Sequence, residues 1–170
     1  MSEIILGAGC FWGVQYYFDL LSDGIIETEV GYAGGLTDAP TYEQVCYENT
    51  GHAEVCKIVY DDSKITLRDI LHNFFLLHDP TQINRQGPDI RDEYRSIILY
   101  TDDSQKAVID TVLDVMRTHI SGDIVTQVAK LQKFWPAEDY HQKFTERTGR
   151  GICHTSPEAV AETIREMNLI

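Results

Sequence analysis

Apolar and polar positions alternate along the chain in two periods, one typical of strands and one of helices. Short apolar or alternating runs predict strands at residues 3–8, 25–32, 53–60, 95–100 and 124–131. Apolar residues at helical spacing predict helices at residues 10–22, 66–78 and 104–120, with one or two helical turns at 41–48. A last helix is predicted to begin at Pro157, because proline favours the first position of a helix.

The order of these elements predicts the fold class. It runs β-α-β-β-α-β, then α-β, then a helical tail, which is the order of the ferredoxin-like βαββαβ core. We therefore predict an α+β fold with a mostly antiparallel sheet, helices on one face, and an extra strand. Long loops and the C-terminal tail would cover the other face. Residues 79–93 read as one uninterrupted loop, and loops of that length in compact domains are often functional.

Composition and charge narrow the class of protein. A chain of 170 residues is long enough for one domain with a full core, here residues 1–170. The net charge of −13 repels nucleic acids and anionic membrane surfaces, so we expect neither as a partner. No apolar run is long enough to cross a membrane, and the start of the chain lacks the basic residues of a signal peptide. We expect a cytoplasmic monomer.

Cysteine and histidine spacing excludes several kinds of site. The four cysteines are Cys10, Cys46, Cys56 and Cys153, and no two form a C-x-x-C pair, so zinc-finger and thioredoxin-like motifs are absent. In a reducing compartment they should act as thiols or in transient disulfides. The six histidines show no H-x-x-x-H or H-E-x-x-H pattern, so no metal site is expected. His141 could orient a site, or could be an ordinary surface or core histidine.

Cys10 is the first candidate for chemistry. It follows the first predicted strand and opens the first predicted helix, where unpaired backbone N–H groups and the helix dipole stabilise a thiolate. Phe11 and Trp12 follow it directly, and large aromatic side chains suit an apolar or methyl-bearing substrate. The alternative is a small buried thiol at a tight turn between strand and helix.

Glu54 and Cys153 are the next candidates. Glu54 starts an otherwise apolar strand, where burial would favour the neutral carboxyl that a general acid needs; a solvent-facing position is the alternative. Cys153 lies in a glycine-containing stretch before the last predicted helix and could reach a reactive cysteine as a resolving thiol, or anchor the tail in the core. For Cys46 and Cys56, a structural role is favoured.

Several blocks of the sequence resemble one family. Gly9-Cys10-Phe11-Trp12-Gly13 is similar to the nucleophile motif of the A-type peptide methionine sulfoxide reductases, and the likeness extends over about residues 4–155. The other matching blocks, in the family's order, are Gly31-Tyr32-Ala33-Gly34-Gly35, Thr41-Tyr42, Thr50-Gly51-His52-Ala53-Glu54-Val55, His78-Asp79-Pro80-Thr81, Asn84-Arg85-Gln86-Gly87, Tyr94-Arg95-Ser96 and Ala137-Glu138-Asp139-Tyr140-His141-Gln142.

The resemblance implies a mechanism. The Cys10 thiolate would attack the sulfur of a methionine S-sulfoxide, free or in a protein, while Glu54 protonates the sulfoxide oxygen. Cys10 would become a sulfenic acid, and Cys153 would convert it into a disulfide that thioredoxin or a similar dithiol reduces. No cofactor is implied. In this interpretation residues 3–148 form the catalytic core and residues 149–170 the recycling tail.

The resemblance also assigns a substrate pocket. Phe11 and Trp12 would hold the methyl group, and Tyr32, Asp89 and Tyr94 match positions that hydrogen-bond around the sulfoxide oxygen. No cysteine follows Cys153, although family members often carry a second one, so a single recycling step is implied. The chain also departs from the family at Ile90-Arg91-Asp92-Glu93, where a smaller, glycine-containing stretch is common.

Two other classes of function compete with this interpretation. An aromatic cage formed by Phe11, Trp12, Tyr32 and Tyr94 could bind a methyl-sulfur or methylammonium group without chemistry. A thiol peroxidase would direct Cys10 at peroxide in place of sulfoxide.

Overall fold

The computed structural model describes residues 1–151. The strands are β1 (Ser2–Ala8), β2 (Ile25–Ala33), β3 (Ala53–Tyr60), β4 (Arg85–Gln86), β5 (Asp89–Ile90), β6 (Ser96–Tyr100), β7 (Gln127–Lys130) and β8 (Phe134–Pro136). The helices are α1 (Phe11–Leu21), α2 (Tyr42–Tyr47), α3 (Leu67–Leu77), α4 (Asp103–His119) and α5 (Phe144–Thr148), with short 3₁₀ helices at Asp92–Tyr94 and Asp139–His141. The predicted helix at Pro157 and the candidate Cys153 lie outside the described residues.

Six strands form one sheet in the order β7-β6-β1-β3-β2-β8. All neighbouring strands in it are antiparallel except β6 and β7, which are parallel. The predicted α+β class and the mostly antiparallel sheet are therefore confirmed. The short strands β4 and β5 pair with each other as a separate hairpin.

Alternation along β1 divides the core between the two faces of the sheet. Ile4 and Leu6 belong to a large hydrophobic cluster that also contains the buried residues of α1, α3 and α4. Ile5 points to the opposite face, into a smaller cluster with Val55 and Ile97. Because successive side chains of a strand alternate between faces, the even-numbered residues of β3 face the helices. Glu54 belongs to this set, which places it on the same face as α1.

Helix boundaries follow from side-chain caps. Thr66 caps α3, with its hydroxyl accepting from the Asp69 backbone N–H while the Asp69 carboxylate accepts from the Thr66 backbone N–H. Asp102 caps α4 in the same way together with Gln105, so that helix begins at Asp103, one residue before the predicted start. These reciprocal hydrogen bonds satisfy N–H groups that a helix start otherwise leaves without partners.

The structure contains strand pairings that the sequence did not predict. Residues 79–93 are not one uninterrupted loop: they contain the hairpin β4–β5, in which Gln86 pairs with Asp89, and part of a 3₁₀ helix. Strand β8 was not predicted, since it is three residues long and exists through pairing with β2. Such short pairings leave no hydrophobic period in the sequence.

Among the described residues, no helix is both long and apolar enough to cross a membrane.

Candidate active site

The turn between β1 and α1 presents Cys10 at the start of the helix. Gly9 has a backbone φ of 89°, which L-residues with a side chain rarely adopt, so glycine allows the sharp change of direction. Cys10 is the N-cap residue of α1, so the helix begins at Phe11, one residue after the predicted start, and only 6% of Cys10 is exposed. Its thiol therefore lies at the positive end of the helix dipole, as expected for a thiolate nucleophile.

Glu54 lies beside this helix start. Its Oε1 accepts a hydrogen bond of 3.2 Å from the backbone N–H of Phe11, the residue after Cys10. Glu54 is 2% exposed, so the solvent-facing alternative is wrong. The sheet thus brings a buried carboxyl group from β3 to the helix N-terminus that carries the candidate nucleophile. The two residues are 43 positions apart in the sequence.

The two aromatic residues after Cys10 have different surroundings. Phe11 is buried, with its ring centre 5.8 Å from that of Tyr32. Trp12 is partly buried and stacks on Phe144 of α5, with ring centres 3.9 Å apart and planes inclined by 15°. These contacts hold both rings beside Cys10 and create an apolar wall.

His141 lies at the centre of this aromatic cluster. It is buried, and its Nδ1 accepts a hydrogen bond of 2.9 Å from the indole Nε1–H of Trp12. Its ring also lies 5.2 Å from Phe11 and 4.5 Å from Tyr42, centre to centre. Burial lowers the pKa of His141, which keeps Nδ1 an acceptor. Burial excludes the surface position considered for His141 and leaves a core histidine or one that orients the site.

Glu138 connects Tyr32 to α2. Its carboxylate accepts from the Tyr32 hydroxyl at 3.0 Å and from the backbone N–H of Tyr42 at 3.0 Å. Tyr32 itself stands opposite Glu54 in the β2–β3 register. Its single hydroxyl proton is therefore engaged by a carboxylate. Glu138 was not identified as a site residue from sequence, although it lies in one of the blocks that carry the resemblance.

Tyr42 was also not identified as a site residue from the sequence. Burial raises its pKa most, followed by a hydrogen bond from its hydroxyl to the Cys46 sulfur, and the charges of Glu54 and Cys10 act in the same direction. The phenol therefore stays protonated while lying close enough to both candidate catalytic groups to feel their charge. The only sequence signal was the Thr41-Tyr42 block of the resemblance.

Tyr94 lies in the same electrostatic environment. Burial raises its pKa, and the charges of Glu54 and Cys10 raise it further. The 3₁₀ helix that carries Tyr94 is brought to the site by the segment following β5. Asp89 begins that strand and pairs with Gln86, and its Oδ2 is buried.

Glu93, next to Tyr94, is a second buried carboxyl group that sequence reasoning did not single out. It is 2% exposed, and its Oε1 has no hydrogen-bond partner among the described residues. Burial raises the pKa of Glu93, so the neutral carboxylic acid is favoured.

The described chain ends close to the site. A Cβ on Gly151 would lie 2.7 Å from Cε3 of Trp12, so the backbone passes directly against the indole ring. Cys153 follows two residues later, outside the described residues.

The interpretation of Cys56 as structural fits its complete burial on β3, where burial raises the pKa of the thiol. Within residues 1–151, no group of three or more His, Cys, Asp or Glu side chains is placed to hold a metal.

Comparison with known proteins identifies the family. Residues 2–169 match the model of the family described as peptide methionine sulfoxide reductase. The chain belongs to this family. It is therefore an oxidoreductase of that kind.

Relatives and solved structures agree with the family assignment. The chain is 44% identical over 158 residues to "Peptide methionine sulfoxide reductase MsrA" of Alkaliphilus metalliredigens, covering 93% of this chain and 99% of the relative. It is similar to the crystal structure of Mxr1 from Saccharomyces cerevisiae in reduced form, with a TM-score of 0.84, 34% identity, and coverage of 89% and 88%. It is also similar to Mxr1 in complex with Trx2, with a TM-score of 0.60, 26% identity and 84% coverage of each chain.

Proposed function

We propose that the chain reduces the S epimer of methionine sulfoxide, free or in proteins, to methionine with Cys10 as the nucleophile and Glu54 as the acid. The observation that carries the proposal is the hydrogen bond from the Phe11 N–H to Glu54, which sets a buried carboxyl group at the helix start occupied by Cys10. The family of the chain supplies the reaction class.

The chemical step transfers one oxygen atom. The Cys10 thiolate attacks the sulfoxide sulfur while Glu54 donates a proton to the sulfoxide oxygen, which makes that sulfur more electrophilic. The oxygen passes to Cys10, methionine leaves, and Cys10 becomes a sulfenic acid. The substrate sulfur is reduced by two electrons, and the cysteine sulfur is oxidised by two.

Hydrogen-bond donors near Cys10 would hold the sulfoxide oxygen. We assign this role to Tyr94 and Tyr42, whose phenols stay protonated in the field of Glu54 and Cys10. The neighbour that acts on the Tyr42 hydroxyl is the sulfur of Cys46, a weak acceptor, so this hydroxyl can turn to a sulfoxide oxygen at little cost. Tyr32 donates to the Glu138 carboxylate, a stronger acceptor, and so lines the pocket and would reach the oxygen only by leaving Glu138.

The other substituents of the sulfur would occupy the apolar side of the site. Phe11 and Trp12 would contact the methyl group, held in place by Tyr32, His141 and Phe144. Asp89 would contribute a polar contact from the segment before Tyr94. A pocket with hydrogen-bond donors on one side and an apolar wall on the other accepts one arrangement of the oxygen and the methyl group around the chiral sulfur. This restriction would make the enzyme selective for one epimer.

Cys153 would regenerate the enzyme. Its thiol attacks the Cys10 sulfenic acid, forming a disulfide and releasing water. The approach of Gly151 to Trp12 supports this pairing, because two further residues span at most about 7 Å and the indole is two residues from Cys10. Thioredoxin or a similar dithiol would then reduce the disulfide, with no other cofactor. The solved complex of yeast Mxr1 with Trx2 supports such a partner.

The proposed organisation is a monomer of one domain with a catalytic core at about residues 3–148 and a recycling tail at about 149–170. The ferredoxin-like arrangement of the core is supported by the antiparallel strand order β6-β1-β3-β2, with α1 after β1 and α3 after β3. A thiol cycle of this kind needs a reducing compartment, which the cytoplasm provides.

A stereospecific assay tests the function. With thioredoxin, thioredoxin reductase and NADPH as electron source, the enzyme should reduce N-acetyl methionine S-sulfoxide and leave the R epimer untouched. Equal rates on the two epimers would exclude the proposed site. A higher turnover of hydrogen peroxide than of sulfoxide at equal concentration would favour the peroxidase alternative. Tight binding without turnover would favour the aromatic cage.

A further inference from the structure

The reactive groups lie below a rim of exposed residues. Cys10 is 6% exposed and Glu54 2%, whereas Tyr47 is 79%, Ile90 66% and Tyr140 55% exposed. A methionine sulfoxide side chain must therefore reach down to Cys10, while the rest of a polypeptide substrate lies across this surface. We call Tyr47, Ile90, Arg91 and Tyr140 the rim.

Ring contacts connect the rim to the candidate pocket. The ring centre of Tyr140 lies 4.1 Å from that of His141, and His141 lies 4.5 Å from Tyr42. Tyr42 and Cys46 lie one turn apart on α2 and influence each other's pKa, and Tyr47 follows Cys46 in the same helix. The rim is therefore continuous with the site around Cys10.

Arg91 is the cation of this rim. Its side chain is exposed, its Nη1 donates to the backbone carbonyl of Cys46, and its guanidinium lies 5.4 Å from the ring centre of Tyr47. These two contacts fix the head group at the C-terminal end of α2. A guanidinium has five N–H donors, so donors remain for a ligand. Within residues 1–151, Arg91 takes part in none of the ion pairs.

Neither carboxyl group next to Arg91 in the sequence forms an ion pair with it among the described residues. Glu93 is buried, and burial raises its pKa, which favours the uncharged form. Asp92 is exposed to solvent, which screens the charge of its carboxylate. A fixed cation at the mouth of the site is thus available in a chain whose net charge is −13.

We propose that Arg91 is a specificity-determining residue that binds the side-chain carboxylate of an aspartate or glutamate close to the oxidised methionine in a polypeptide substrate. This inference rests on the proposed function. A planar guanidinium matches a carboxylate with two parallel hydrogen bonds. Ile90 and Tyr47 on either side of it would contact apolar residues of the same segment.

The position of Arg91 favours a neighbouring side chain over the substrate's own carboxylate. Arg91 contacts Cys46 and Tyr47 at the C-terminal end of α2, whereas Tyr42, at the start of that helix, is the residue whose pKa responds to the charge of Cys10. The α-carboxylate of free methionine sulfoxide is only a few bonds from its sulfur. An extended polypeptide instead advances about 3.3 Å per residue, so an acidic side chain one or two residues away can span the rim.

Peptides that differ at a single position test the proposal. Three peptides would carry Glu, Gln or Lys two residues from methionine S-sulfoxide, and kcat/KM would be measured at low and high salt. At low salt the Glu peptide should exceed the Gln peptide by about two- to fivefold, mostly through KM, because exposed ion pairs contribute modestly. High salt should reduce this ratio, since the charges are screened.

Variants of Arg91 test whether this residue causes the preference for the Glu peptide. Arg91→Gln should bring the Glu-to-Gln ratio close to one, and Arg91→Glu should reverse it in favour of the Lys peptide. Arg117→Gln, on α4 beside Asp114, is the matched control and should keep the wild-type ratio. Circular dichroism would confirm that each variant is folded. A reversed preference in Arg91→Glu cannot result from a damaged loop.

The outcomes separate this proposal from the proposed function. If the wild-type enzyme fails to reduce the uncharged N-acetyl methionine sulfoxide methyl ester, the proposed function fails. If it reduces that ester but treats the three peptides alike, or if Arg91→Gln keeps the preference, only the assignment of Arg91 fails. A preference for free methionine sulfoxide over its methyl ester that depends on Arg91 would also overturn it, in favour of the α-carboxylate.

Discussion

The carboxylate of Glu54 accepts a hydrogen bond of 3.2 Å from the backbone N–H of Phe11. This contact joins the middle of the sheet to the first turn of α1, directly after Cys10. The same hydrogen bond that satisfies an N–H group at the helix start also fixes the distance between the candidate acid and the candidate nucleophile. Local helix capping and catalytic geometry are therefore provided by one side chain.

Glu54→Gln should separate these two roles. The amide oxygen of Gln can still accept from Phe11, so the helix start should persist and circular dichroism should stay unchanged. The amide cannot transfer a proton to the sulfoxide oxygen, so we expect kcat to fall by about 10²- to 10⁴-fold. Single-turnover release of methionine measures this step without recycling. A variant within a factor of two of wild type would show that the proton comes from another group.

Cys153→Ser should block recycling and leave the chemical step intact. One equivalent of methionine should be released per enzyme, after which turnover with thioredoxin should stop because Cys10 remains a sulfenic acid. A sulfenic-acid probe and mass spectrometry would detect this species. In the wild-type enzyme without reductant, the same method should find a Cys10–Cys153 disulfide. Continued turnover, or a disulfide between Cys10 and Cys46, would assign recycling to a different thiol.

His141→Phe tests how Trp12 is held. Phenylalanine retains a ring among the aromatic neighbours but removes the acceptor of the indole N–H. The looser indole should raise KM severalfold with a smaller change in kcat, because the binding wall is affected more than the reacting groups. Tryptophan fluorescence should report the change at Trp12, and a Trp135→Phe background would remove the signal of the other tryptophan.

The pH dependence of the same contact has a defined direction. Burial lowers the pKa of His141 in the folded protein, so the neutral ring is favoured. His141 therefore makes its full contribution to the free energy of unfolding at pH values above its pKa in the unfolded chain. This contribution is lost as the pH falls through the folded pKa, when protonated Nδ1 can no longer accept from Trp12. The wild-type enzyme should therefore lose stability on acidification more steeply than His141→Phe. Parallel curves would contradict the assigned protonation state.

Glu93→Gln should show the opposite pH dependence. Burial raises the pKa of Glu93, so its contribution to folding is fully present below the unfolded pKa and is lost as the pH rises through the folded pKa. Glutamine has nearly the same shape and no charge to desolvate. Urea unfolding would measure the free energy of unfolding of both proteins at pH 4 and pH 8. The difference between Glu93→Gln and wild type should shift in favour of the variant at pH 8. Glu48→Gln, an exposed position on the loop after α2, is the matched control and should show no such trend.

The sequence by itself determined most of the regular structure and part of the site. Hydrophobic periods located β1, β3, α3 and α4 to within a few residues, because these long elements bury one face or stripe against a common core. The change from a predicted strand to a predicted helix at Cys10 predicted a thiol at a helix start, since both elements are local in sequence. The family followed from motifs that are also local in sequence.

Only the tertiary structure decided which side chains meet at the site. Alternation alone left Glu54 free to face solvent or core, and the pairing of β3 between β1 and β2 placed it against Phe11. The hydrogen bond from Trp12 to His141 spans 129 positions of sequence. Contacts of this kind depend on the sheet order and on short pairings such as β8 with β2, which carry no periodic signal. The chain therefore encodes its elements locally and assembles its candidate site through long-range packing.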